Sequence, residues 1–406
     1  MRLSMIMLAL CISTAACSDR AVNNNQKQPG VDKGVPGQDK GVLKKDVGPG
    51  KKDTGLPPSA ACKKVPAAQD LDVDLLFVID NSGSMEQEQK NMRVNFAKLV
   101  DAFRLSPTTD KLLNLRIGVI TTDLGAGNLY QDNACQLDGD KGKLFNKAQI
   151  AGCTPPKDAW IEYKEEKGLI TTNVPGAGAA IQKVKDAFTC IAALGTDGCG
   201  FEQTLMSAKR ALDPAINVNP GFLRNDDPCK AGREDAILGV LYLTDEDDCS
   251  AANPALYDPS QQGLNDPLGP LTSFRCFEFG VRCECPGQAK CDRFTQGVRT
   301  NCVPSGLYLH KVENFISFFK NMKKSPARDS ATGKCVDVPN DRRLVMAAIA
   351  GPTDKVEVGT QGNYPVLKPS CSTSQGFGVP AIRIKALVRA LAKALTAQEI
   401  ADIKAG

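Results

Sequence analysis

The sequence predicts an α/β fold: an open, mostly parallel sheet flanked by helices. Two observations carry this. Several runs are continuously apolar, such as Leu75-Leu76-Phe77-Val78-Ile79, as a strand covered on both faces must be. Between them lie segments whose apolar residues recur at helical spacing, and strand–helix alternation of this kind builds a parallel sheet with helices packed on it. No stretch approaches the roughly 18–20 apolar residues needed to span a bilayer.

Taken in order, the first strand is 75–79. A helix is expected from Glu86 to Phe103, with Met92, Phe96, Leu99 and Phe103 along one face. Ser84 stands where an N-cap would, and Glu86 and Glu88 occupy the first turn, where the helix dipole favours acid. Leu115–Ile120 is the second strand, Glu202–Leu212 a helix, and Ile237–Leu243 another buried strand. Val312–Met322 is a helix with Val312, Phe315, Ile316 and Phe319 on one side. Leu344–Ile349 is a late strand, and Ile382–Leu395 closes the domain as a helix striped by Leu387, Leu391 and Leu395.

Two segments, at about 125–190 and 250–310, interrupt this alternation. They are rich in Gly, Pro and Asp and hold much of the cysteine. Loops this long are usually functional or stapled. The chain has 16 cysteines, fourteen of them besides Cys11 and Cys17. In an exported protein an even set of this kind reads as disulfides, whose connectivity the sequence leaves open. The crowding of Cys283, Cys285, Cys291 and Cys302 could suggest zinc, but disulfides are the expectation in an oxidising compartment.

Export is read from the first sixteen residues. Arg2 gives a charged start, Met5–Ile12 a short apolar core, and Ser13-Thr14-Ala15-Ala16 the small residues a signal peptidase accepts. Thr14-Ala15-Ala16-Cys17 resembles the lipobox of bacterial lipoproteins, although Thr14 replaces the usual Leu. The resemblance implies lipidation of Cys17 and a lipid anchor in the cell envelope. Ser18 after the Cys points to the outer membrane. Residues 17–61 then form a linker rich in Gly, Pro, Lys and Asp, with a near-repeat of Gly30–Val35 in Gly37–Val42. Too little apolar surface is present to offset the entropy of ordering it. As a coil it reaches roughly 35–40 Å. The domain proper is expected over 62–406.

The formal charge is +4, and the excess lies in the first 61 residues. The rest of the chain is neutral. It lacks the basic surface a nucleic-acid binder needs, so that class is excluded. A Ser–His–Asp hydrolase would have to use His310, the only histidine, and no serine sits in a nucleophile-elbow pattern. The chain is not expected to be an enzyme.

In open α/β sheets, ligands bind beyond the carboxyl ends of the strands. Asp80 follows the first strand in Asp80-Asn81-Ser82-Gly83-Ser84, a loop that can turn at Gly83 and aim one carboxylate and two hydroxyls at one point. Oxygen donors of this kind suit Mg²⁺, Mn²⁺ or Ca²⁺, with Mg²⁺ first. Leu243-Thr244-Asp245 ends a second buried strand and brings another carboxylate to the same edge. Asp-x-Ser-x-Ser by itself arises by chance in on the order of a tenth of chains this long. Its position between an apolar strand and a helix is what gives it weight.

These residues resemble the von Willebrand factor A family and its metal-ion-dependent adhesion site, over roughly residues 70–395. The resemblance implies Asp80, Ser82, Ser84 and Asp245 as metal ligands, completed by a Thr before a middle helix. Thr196, in Gly195-Thr196-Asp197-Gly198, is the preferred candidate; Thr204 is the alternative but would fall inside the expected 202–212 helix. The family's metal keeps a position that an acidic side chain of a partner protein fills. The sequence departs from the family after Asp245, where Glu246-Asp247-Asp248 replaces the usual Gly, and these carboxylates could serve a second cation or be solvated. The resulting expectation is an envelope-anchored, divalent-metal-dependent protein-binding module. The alternative is an envelope scaffold or assembly factor of the same fold whose metal site is dispensable.

Overall fold

The computed structural model describes residues 72–104, 111–225, 235–374 and 376–392. The signal sequence, Cys17, the linker and Leu395 lie outside the described residues. Strand β1 (Asp72–Ile79) is followed by α1 (Glu86–Ala102), β2 (Asn114–Thr121), β3 (Ile161–Glu166), β4 (Leu169–Thr172), α2 (Ala180–Ile191), α3 (Thr204–Leu212) and β5 (Ile237–Leu243). The second half holds α4 (Phe274–Gly280), β6 (Val281–Glu284), β7 (Gly297–Pro304), α5 (Val312–Lys320), β8 (Lys324–Arg328), β9 (Cys335–Pro339) and β10 (Leu344–Ile349). It ends with β11 (Val356–Gln361), β12 (Tyr364–Leu367), β13 (Cys371–Thr373), β14 (Gly376–Gly378) and α6 (Ile382–Leu391).

The central sheet has six strands in the order β10-β5-β1-β2-β3-β4. The first four are parallel, and β3 and β4 add an antiparallel hairpin at one edge. The chain is therefore mixed α/β, with a mostly parallel sheet covered on both faces. The period-2 alternation of a strand sorts β1 between the two faces. Leu75, Phe77 and Ile79 pack with Phe96 of α1 and Phe188 of α2 on one side. Leu76 and Val78 pack with Leu205 of α3, Phe315 of α5 and Leu387 of α6 on the other. This double burial is why β1 and β5 read as unbroken apolar runs. Gly239 marks the tightest approach within the sheet: a Cβ there would lie 2.6 Å from the Leu75 side chain.

The expected helices and parallel strands appear, with ends moved by a few residues. One shift matters: the helix expected from Glu202 begins at Thr204. The first cysteine-rich segment is more ordered than a stapled loop. Ile161 and Tyr163 are buried and alternate with charged residues, and β3 joins the sheet beside β2 while α2 joins the core. Trp160 lies tilted against Phe222 and under Arg116, a packing role.

Among the described residues five disulfides have both cysteines placed, Cys135–Cys199, Cys153–Cys190, Cys249–Cys276, Cys283–Cys302 and Cys285–Cys291, and Cys335 and Cys371 are disulfide-bonded as well. The four crowded cysteines are thus two disulfides. The second cysteine-rich segment, with 356–367, forms a smaller sheet in the order β12-β11-β7-β6 against Phe274 and Phe277 of α4. Inside this region the Arg275 guanidinium is fully buried. Its five N–H groups donate to five backbone carbonyls, those of Leu256, Asp258, Gln261, Gly269 and Pro270.

Candidate metal centre

The strand order locates the site. From β1 the chain passes to β2 on one side, and from β5 it passes to β10 on the other. Connections diverge between β1 and β5, and at such a switch point a crevice opens beyond the carboxyl ends of the strands. Asp80 follows β1 and Asp245 lies two residues past β5, so both stand at that crevice. Two hydrogen bonds tie the strand ends together. The Asp80 N–H donates to Leu243 O (2.9 Å), and the Thr244 hydroxyl donates to Asp80 Oδ2 (2.7 Å).

The Asp80–Ser84 loop turns as expected. The Ser82 N–H donates to Asp80 Oδ1 (2.8 Å), and the Met85 N–H donates back to Ser82 O. Ser84 does not cap α1. Met85 holds the cap position, and no side chain bonds the free amides. The Ser84 hydroxyl lies instead beside Asp245, where it offsets part of that carboxyl's pKa rise. Glu86 and Glu88 do occupy the first turn. Gln89, buried one turn along α1, donates from Nε2 to Asp80 O and to Gly195 O, both at 2.8 Å. The Gly198 N–H donates to Asn81 O (2.8 Å). The 195–198 loop is therefore fastened to the Asp80 loop by backbone and glutamine contacts.

Thr196 in that loop is half-buried, and Asp197 is exposed. Thr204 is fully buried at the first position of α3, and its hydroxyl has no hydrogen-bond partner. Other groups relieve it of capping duty. Asp248 Oδ1 accepts the Leu205 N–H, and the Ser250 hydroxyl accepts the Met206 N–H, both at 2.9 Å. Thr204 Oγ1, Ser82 Oγ, Asn81 Oδ1 and both carboxyl oxygens of Asp245 are buried and make no well-formed hydrogen bond among the described residues, although the Ser82 and Ser84 hydroxyls lie close enough to the Asp80 and Asp245 carboxylates to favour their ionised forms. Burying polar oxygens without good partners costs on the order of 1–3 kcal/mol each, so these oxygens ask for a further partner. The donor set, two carboxylates with serine and threonine hydroxyls, is the chemistry of a hard cation. Among the described residues, no three His, Cys, Asp or Glu side chains form a group that could hold a metal ion by themselves.

The electrostatics point the same way. Burial, then the Asp80 charge, pushes the Asp245 carboxyl up to about 7. Burial followed by Asp245 and Asp80 pushes Glu246 up to about 8. Burial also raises Asp80, and it raises Glu202 well above the usual range with help from Glu246 and Asp80. Glu88 is raised by burial as well. Among the described residues, no lysine or arginine is a leading influence on any of these five.

Sequence reasoning named Asp80, Ser82, Ser84 and Asp245 and passed over Thr244, Glu88, Gln89 and Glu202. Glu88 carried a signal: it stands in the first turn of the helix that follows the Asp80–Ser84 loop. The Glu246-Asp247-Asp248 run is not solvated. Asp247 accepts the Arg383 and Ile384 N–H groups at the start of α6, and Asp248 Oδ2 pairs with Arg383 Nε (3.1 Å). Asp123 fills a turn role, accepting the Gly125 N–H (2.7 Å) and the Cys199 N–H (3.4 Å).

No family model, no curated protein and no solved structure matches the chain.

Proposed function

We propose that this chain is a divalent-cation-dependent protein-binding module of the von Willebrand factor A type, held in the cell envelope by a lipid on Cys17. The observation that carries the reading is the set of buried oxygens of Ser82, Thr204 and Asp245 that make no well-formed hydrogen bond among the described residues, at the switch point beside Asp80. Asp80, Ser82, Ser84 and Asp245 would hold the cation, Mg²⁺ before Mn²⁺ or Ca²⁺. Thr204 completes the set better than Thr196, because its hydroxyl is buried and unused. When bound, the cation supplies a Lewis-acidic point with room for one more oxygen, and a carboxylate from a partner protein is the group it would attract. Titration of Mg²⁺ into the purified chain by calorimetry tests this. Saturable binding that Asp80→Ala and Asp245→Ala abolish is expected, and its absence in the unaltered chain would overturn the reading.

A second reading, an envelope scaffold of this fold that works without metal, has one observation in its favour. Both Asp80 oxygens already accept hydrogen bonds, from Ser82 N–H and the Thr244 hydroxyl. If partners recovered with the chain stay bound after chelation and after Asp80→Ala, the scaffold reading holds.

A further inference from the structure

The segment between β10 and α6 returns to the cation edge. After β11 and β12 it forms the β13–β14 hairpin, with Ser372 paired to Phe377 and Cys371 to Gly378. Cys371 is itself in a disulfide. Two contacts hold this hairpin at the edge. The Val379 N–H, one residue past β14, donates to Asp245 O (2.8 Å). The Phe377 N–H donates to the Glu88 carboxylate, one helical turn beyond Ser84. The hairpin is thus fastened at Asp245 and near Ser84, from the two loops that carry the proposed cation ligands.

Gly376 makes this seating possible. Its φ of +134° is unfavourable for other residues, and a Cβ there would lie 1.7 Å from Glu88 Oε1. The close approach leaves Phe377, whose N–H meets Glu88, 41 % exposed. Aromatic side chains are the common anchors of protein interfaces.

We infer that the β13–β14 hairpin forms one wall of the cation-centred site, and that Phe377 is a specificity-determining contact. It selects partner segments that carry an apolar side chain next to the acidic one. This rests on the cation-dependent reading. The cation fixes one oxygen of the partner, and the hairpin sets what must stand beside it.

An array of synthetic peptides, each with one Asp or Glu flanked by varied residues, probed with the full chain in Mg²⁺, tests the inference. Bound peptides are expected to need the acid and to favour a neighbouring Leu, Phe or Met. Phe377→Ala should cost those peptides about tenfold or more in affinity. Binding of peptides with a polar neighbour, Mg²⁺ affinity and melting temperature should be unchanged. Phe377→Leu should retain the preference, and Gly376→Ala, which lifts the hairpin off Glu88, should lose it. If Phe377→Ala keeps the apolar preference while binding stays Mg²⁺-dependent, the hairpin inference fails and the cation reading stands. If no peptide binds in a Mg²⁺-dependent way, or if Asp80→Ala binds as well as the unaltered chain, both fall.

Discussion

The two candidate threonines differ by eight positions and separate by experiment. Thr204→Val keeps the shape of the side chain and removes only the unpartnered hydroxyl. It is expected to weaken Mg²⁺ binding by about tenfold, roughly one lost ligand contact, while Thr196→Val leaves the calorimetric isotherm in place. The carboxyls predict a pH effect. The folded-state pKa of Asp245, about 7, is above its unfolded value of 3.8, so it contributes stability that is fully present below about pH 4 and is lost as pH rises through 7. Glu246 adds a loss that runs on toward pH 8. Without metal, the melting temperature should fall by roughly 5 °C or more between pH 5 and 8. Mg²⁺ should restore more at pH 8 than at pH 5, because binding competes with protons. Thermal scans at the two pH values, with and without Mg²⁺, check this. The edge position of Asp80 and Asp245 was legible because each closely follows a strand that its own apolar run declares. The position of Thr204 was read two residues too far into its helix, since helical periodicity does not mark its own first residue.

At the scale of elements, α6 depends on one side chain. Arg383 is fully buried, pairs with Asp248, and donates to the carbonyls of Gly280, Ser305 and His310. It therefore joins α6 to the loop after β5, to the end of α4 and to the turn before α5. Replacing Arg383 with Met leaves the Asp248 charge buried without its counter-ion, held by the Leu205 N–H and the Ser250 hydroxyl. The expected loss is about 3–5 kcal/mol, read from the midpoint of a urea transition. This hub was invisible in the sequence, because Arg383 sits in a helix whose stripe of leucines accounts for its periodicity without it. The β3–β4 hairpin escaped notice for a related reason. Ile161-Glu162-Tyr163-Lys164 alternates over too few residues to stand out in a segment dominated by Gly, Pro and Asp. Long apolar runs and long helical stripes are legible; short edge strands need their neighbours.

For the whole molecule, the disulfides and the proposed amino-terminal lipid anchor carry separate expectations. Cys135–Cys199 joins the loop after β2 to the loop before α3 and closes a long ring, with a sequence separation of 64. Chain entropy alone assigns it about 4 kcal/mol. Replacing both cysteines by serine should lower the denaturation midpoint accordingly and quicken protease cleavage in the 195–203 loop that borders the Asp80 loop. At the other end, Cys17→Ser should move the protein from the membrane fraction to the soluble one, and an unchanged distribution would remove lipidation from the account. The class of the fold was plain from alternation, and cysteine parity foretold the staples. Which cysteines pair was not readable, because pairing follows from approach in space.

The Arg275 guanidinium meets its ring of five carbonyls much as a bound metal ion would, but it is attached to the chain. The 256–270 loop therefore carries a resident cation that no chelator strips and no competing ion displaces. Chelation applied to this protein will leave that loop in shape, and the response it does produce can be read at the edge where Asp80 and Asp245 meet.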